Sequence, residues 1–144
     1  MIRRVSRLPS LPRDERQLAV RAAVLGMAAA LLVRFIPWPA SSRAVARLHR
    51  LLFRGGPNSE SISLPRAASI IERAAGDLPL ATCLSLSLTG QALLADLGYE
   101  PTLRVGIRQG GATLDAHAWL EVGGAAILGA PEPGTFQPFA PLPR

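Results

Sequence analysis

The sequence predicts an α+β domain in which N-terminal helices pack on a small core, and in that core a cysteine-bearing helix lies against an antiparallel sheet. Three observations predict it. Apolar residues recur at helical spacing up to about Leu97 and then alternate from Thr102 onward. Paired glycines interrupt the alternating part where hairpin turns would fall. The length of 144 residues and the 49% hydrophobic content fit one domain.

The elements follow in chain order. Residues 1–13 are basic, hold two prolines and read as an irregular lead-in. Residues 14–36 read as a helix, because Asp14 and Glu15 suit its positive end and a long apolar stretch follows. Its uninterrupted apolar run, Ala22 to Val33, is twelve residues long. A membrane-spanning helix needs about 17–25 apolar residues. The run therefore reads as a buried or docking helix, with membrane contact the minority reading.

Pro37 and Pro39 break that helix. Ser41 or Ser42 can cap a second one through Phe53, with Val45, Leu48 and Leu52 as its apolar stripe. Arg43, Arg47, Arg50 and Arg54 share the other face, either as a solvated face or as a docking surface for an acidic partner. His49 lies among them and reads as solvated. Residues 54–64 form a loop, which divides a basic helical region (1–54) from a core region (55–144). Pro65 opens a third helix ending at Gly76, and Thr82-Cys83 opens a fourth that runs to Leu97. Strands are expected at 102–108, 112–122 and 125–128, joined by turns at Gln109-Gly110-Gly111 and Gly123-Gly124. The last 14 residues hold five prolines and read as an extended surface tail.

Charge divides along the same line. Residues 1–54 hold eleven Arg against two acids, a balance of +9, and residues 55–144 hold five Arg against eight acids, a balance of −3. There is no Lys, only seven residues are aromatic, and no nucleic-acid-binding motif is present. Nucleic acid is therefore not an expected partner. A single cysteine excludes an intramolecular disulfide and a multi-cysteine metal site, and it suits a reducing, cytoplasmic setting.

That cysteine carries the chemistry. Cys83 falls in the first turn of a helix, where unsatisfied N–H groups and the dipole stabilise a thiolate and can hold an oxyanion. A buried structural Cys is the plainer alternative. His117 sits mid-strand, 34 residues on, sharing a face with Asp115, Trp119 and Glu121. A strand can aim an imidazole at a helix start, giving a Cys–His pair. Arg104 and Arg108 alternate outward and read as solvated.

The residues Thr82-Cys83-Leu84-Ser85-Leu86-Ser87-Leu88, Leu93-Leu94 with Leu97-Gly98, Leu103-x-Val105-Gly106-Ile107 and Asp115-Ala116-His117-Ala118-Trp119-Leu120-Glu121-Val122 together resemble a known family. They look like the transglutaminase-like leader peptidases of lasso-peptide biosynthesis, whose hallmark is a Cys-Leu helix start followed by His-Ala-Trp-x-Glu. The resemblance implies a transglutaminase/papain-like core. It implies Cys83 as nucleophile, His117 as general base and acid, and no metal or other cofactor. The family's third member is an Asp at the end of the next strand, but Ile127-Leu128-Gly129-Ala130 holds no acid. Either Glu132 reaches in, or a dyad works alone. Trp119 would shield the pair or touch substrate.

The implied reaction is hydrolysis of one peptide bond in a ribosomally made precursor, separating leader from core peptide. The implied partners are that precursor, a separate leader-recognition protein and an asparagine-synthetase-like macrocyclase. Arg43, Arg47 and Arg50 are the candidate docking residues. The alternatives are a transglutaminase-like acyltransferase and a non-catalytic, membrane-adjacent scaffold.

Overall fold

In the computed structural model, which describes residues 10–55 and 61–139, the first helix, α1, spans Arg13–Phe35. Asp14 and Glu15 in its first turn and Arg34 in its last complement the helix dipole. Leu18, Ala22, Leu25 and Ala29 are fully buried at spacings of three and four, as one helix face requires. The helix is long and apolar enough to cross a membrane by length and composition. Here its buried stripe packs on protein: a Cβ added to Gly26 would lie 2.7 Å from the Cβ of Ala75. Val20, Val24, Leu31 and Phe35 remain exposed on its outer side.

The second helix, α2, spans Ala40–Leu52 and corrects two expectations. Ser41 and Ser42 lie inside it; the cap position is Pro39, and no side chain caps the end. The inward stripe is Ser41, Val45 and His49, while Leu52 is half exposed. His49 is buried rather than solvated, because Asp96 draws its ring inward. Arg43, Arg47, Arg50 and Arg54 all lie exposed.

The third helix, α3 (Leu64–Gly76), carries Pro65 in its first turn, where a missing N–H costs nothing. Arg66 forks onto both carboxylate oxygens of Glu15, at 2.7 and 3.1 Å, and so ties α3 to α1. The fourth helix, α4, spans Cys83–Asp96. It rests on the sheet at Gly90, where a Cβ would lie 2.8 Å from Leu120 Cδ1 and would also collide with Leu128.

Four antiparallel strands follow: β1 (Thr102–Gly110), β2 (Thr113–Val122), β3 (Ala125–Leu128) and β4 (Gln137–Pro138), in the order β3-β2-β1-β4. Gly110 pairs with Thr113, so the first hairpin turns on Gly111-Ala112, one step later than expected. Gly123 and Gly124 turn the second with φ of 60° and 82°, the pair of positive values a tight two-residue hairpin needs. The described part of the proline-rich end, residues 131–139, lies mostly at the surface, as expected, and is tied to the sheet. It adds β4 to the β1 edge through Gly106–Pro138 and Ile107–Gln137 pairing, and Phe139 N donates to Val105 O at 2.8 Å. Most of the basic lead-in (residues 1–9), residues 56–60 of the central loop and residues 140–144 lie outside the described residues.

One hydrophobic cluster joins Leu18 of α1, Val45 of α2, Ile71 of α3, Leu94 of α4, Leu120 of β2 and Leu128 of β3. The front helices and the sheet therefore share a core, and α4 packs between them.

Candidate active site

The start of α4 is built by two short side chains. Thr82 Oγ1 accepts from Ser85 N at 3.1 Å, and Ser85 Oγ accepts from Thr82 N at 2.8 Å, a reciprocal capping box. The box uses the Thr82 and Ser85 amides. Helix geometry leaves the Cys83 and Leu84 N–H groups without an intrahelical acceptor. These two amides belong to the residue that carries the sulfur and to the one after it, so they are candidate donors to an oxyanion formed at Cys83. Leu80, three residues earlier, adopts a left-handed φ of 67°, which bends the chain into this helix start. Cys83 is half-buried, packed against the hydrophobic core, and is a free thiol.

Alternation along β2 turns Ala118 and Leu120 toward α4 and places His117, Trp119 and Glu121 on the other face. β3 pairs with β2 only from Leu120 to Val122, so at His117 that side of β2 is an open edge. The imidazole uses this edge. Its Nε2 lies 2.7 Å from the carbonyl oxygen of Gly129, just past the end of β3. A carbonyl can only accept, so Nε2 carries the proton. Trp119 stacks beside the ring at 6.1 Å and Phe136 lies 5.3 Å away, tilted by 33°.

Around this ring the outward face of the β1–β2 pair is knitted by charge. Glu121 accepts from Arg104 at 3.0 Å and from the Trp119 indole at 3.1 Å. Burial pushes the Glu121 carboxyl upward, but the hydrogen bonds from Arg104 and Trp119 and the Arg104 charge outweigh it and hold the group below its ordinary value. Arg108 pairs with Asp115 at 2.9 Å and lies over the Phe136 ring at 4.9 Å. Arg104 and Arg108 are therefore engaged rather than free in solvent, because the register sets each within reach of an acid on β2.

The sequence-predicted residues are distributed as follows. Cys83 and His117 stand on packed elements, but the structure does not bring the two side chains together as the sequence predicts: α4 meets the Ala118–Leu120 face of β2, and alternation puts His117 on the other face. No hydrogen bond joins them; the ring's Nε2 bonds Gly129 O instead. The Glu132 side chain is exposed, and its backbone carbonyl accepts from Thr135 N at 3.2 Å. Trp119 is 4% exposed, so it packs against His117 rather than presenting a surface to substrate. Arg43, Arg47 and Arg50 stand apart on α2. No group of His, Cys, Asp and Glu among the described residues could hold a metal ion. Sequence reasoning missed Gly129, Phe136 and Ser85. The first acts through its backbone and the second sits in a proline-rich stretch, so neither carries a residue-type signal. Ser85 is legible from the Thr-x-x-Ser spacing, a near relative of the capping-box pattern.

Residues 18–143 match the profile of the transglutaminase-like superfamily. The chain belongs to that superfamily. The match takes in α4, the whole sheet and most of α1, and four helices with a four-stranded antiparallel sheet suit a small transglutaminase-like domain. Comparisons with curated proteins and with solved structures found no match. Transglutaminase-like proteins are commonly cysteine peptidases and acyltransferases, and Cys83 is the one thiol this domain has for such chemistry.

Proposed function

We propose that this transglutaminase-like domain is a cysteine peptidase that removes the leader from a ribosomally made lasso-peptide precursor. The observation that carries the reading is Cys83 at the first position of a capped helix, where the first-turn amides have no intrahelical acceptor. The His-Ala-Trp-x-Glu string at 117–121 and its 34-residue spacing from Cys83 support the narrower assignment.

The chemistry balances without a cofactor. The Cys83 S–H proton passes to Nδ1 of His117, and the thiolate attacks the scissile carbonyl carbon. The carbonyl oxygen becomes an oxyanion facing the Cys83 and Leu84 amides. The C–N bond then breaks, and the imidazolium gives its proton to the departing amine. Water adds to the thioester while His117 takes its proton, and the thiol is restored as the acid product leaves. This route requires the His117 ring, which β2 presents on the face away from α4, to be brought to hydrogen-bond distance of Cys83 Sγ when substrate binds.

The precursor would be held by a separate recognition protein. Arg43, Arg47 and Arg50 form an exposed basic row on α2 suited to an acidic partner surface. The test mixes this chain with a lasso-peptide precursor and a separate leader-recognition protein and reads the products by mass spectrometry. Leader and core fragments with a free carboxylate, lost in Cys83→Ala and in His117→Ala, support the reading. An amine adduct at the same carbonyl means an acyltransferase. Cleavage that survives Cys83→Ala sinks both.

A further inference from the structure

We propose that the segment after β3 supplies the positioning that the missing acidic residue would give: Gly129, through its carbonyl, and Phe136, through its ring, are positioning residues for His117. This rests on the proposed role of His117 as the base. The Nε2–Gly129 O bond of 2.7 Å commits the proton to Nε2 and leaves the lone pair on Nδ1. That is the tautomer a proton acceptor for the thiol needs. Gly129 presents its carbonyl from a φ of 66°, a left-handed value that a glycine adopts freely and other residues adopt only under strain. Its neighbourhood is not otherwise crowded, since an added Cβ would meet only the Ala118 carbonyl oxygen at 3.5 Å and Trp119 carbons at 3.9 Å and beyond.

Phe136 completes the clamp. It lies on His117 at 5.3 Å and is itself covered by the Arg108 guanidinium at 4.9 Å, which Asp115 fixes at 2.9 Å. The segment is anchored at both ends. Leu128 pairs with Leu120 before it, and Pro138 pairs with Gly106 after it. A neutral carbonyl orients the ring as a carboxylate would. It stabilises the imidazolium less, because a charge-assisted bond is about twice as strong as a neutral one. The device therefore sets tautomer and angle without placing a negative charge beside the ring.

The experiment uses the full chain labelled with ¹⁵N-histidine. There are only two histidines, and His117 is assigned by NOEs from the Trp119 and Phe136 rings. The expected result at a pH where the ring is neutral is a protonated Nε2 and a bare Nδ1. A protonated Nδ1, or rapid averaging between the two, overturns the proposal. The second measurement is the rate of Cys83 alkylation by iodoacetamide against pH. Phe136→Ala should slow it several-fold and displace the profile, and Phe136→Leu should recover part of the loss. An unmoved profile in Phe136→Ala makes the segment merely structural and overturns the positioning role. A wild-type thiol inert to iodoacetamide sinks the proposed function itself, whatever the tautomer, so the two failures are told apart.

Discussion

His49 Nε2 lies 2.7 Å from Asp96 Oδ2, and this bond fastens α2 to the last residue of α4. The same oxygen is 3.9 Å from Nη1 of Arg21, a residue only 6% exposed whose guanidinium also donates to Gly55 O and lies 5.0 Å from the centre of the Phe53 ring. One carboxylate thus answers two inward-facing groups from two other helices. Asp96→Asn keeps the shape and removes the charge. It should cost about 2 kcal/mol, because the buried Arg21 loses the negative charge facing it and His49 keeps only a weaker, neutral acceptor. Urea unfolding measures this. The double variant with His49→Gln should cost less than the sum of the single losses, and strict additivity would show that the pair is not coupled.

This cluster also marks how far the sequence could be read. The four helices and the first three strands were legible from periodicity and from their caps and turns, and so was the Cys83 helix start, since a threonine before a long apolar run is a local signal. Partners that meet through tertiary packing were not. His49 looked solvated because its neighbours Arg47 and Arg50 are exposed, yet it turns inward to an acid 47 residues away. Arg21 read as the edge of an apolar run and is instead buried. At the site, the residue types of Cys83 and His117 stood out. The acceptor on His117 did not, because a backbone carbonyl looks the same in every residue and only the fold brings this one near. The end of the chain looked like a tail because prolines suppress strand patterning, though β4 pairs at an edge where a missing N–H is tolerated.

Glu121 sets a pH dependence. Its carboxyl sits below its ordinary value: burial raises it, and bonds from Arg104 and Trp119 with the Arg104 charge lower it further than that. A group lowered on folding adds stability above the unfolded value, about 4.3 for a glutamate. That stability drains away as pH falls through the folded value. Unfolding free energy should therefore decline on acidification below about pH 4, and Glu121→Gln should flatten part of the decline. Parallel slopes for the two proteins would mean that Glu121 is no more favoured in the folded state than in the unfolded one.

Gly26 tests the approach of α1 to α3. Replacing a mid-helix glycine by alanine ordinarily gains about 1 kcal/mol. Here the new Cβ would stand 2.7 Å from Ala75 Cβ and 3.3 Å from Ala75 Cα, and neither atom can swing aside. Gly26→Ala should therefore destabilise the domain by about 1–3 kcal/mol, a reversal of sign that thermal or urea unfolding would register. The double variant Gly26→Ala with Ala75→Gly relieves the contact and should recover part of the loss. A stabilised single variant would mean that the helices do not meet at this point.

Thr82 links stability to chemistry. Its Oγ1 takes the Ser85 amide at 3.1 Å while its own amide donates to Ser85 Oγ at 2.8 Å. Thr82→Val keeps the β-branched shape and removes only the acceptor. Losing one capping bond should cost about 1 kcal/mol. It also frees the first turn to fray, and that turn carries Cys83 and the two amides proposed to face the oxyanion. The alkylation rate of Cys83 should then fall together with stability. Thr82→Ser retains the oxygen and should restore both. Stability lost without any change in thiol reactivity would mean that the order of this helix end does not govern Cys83.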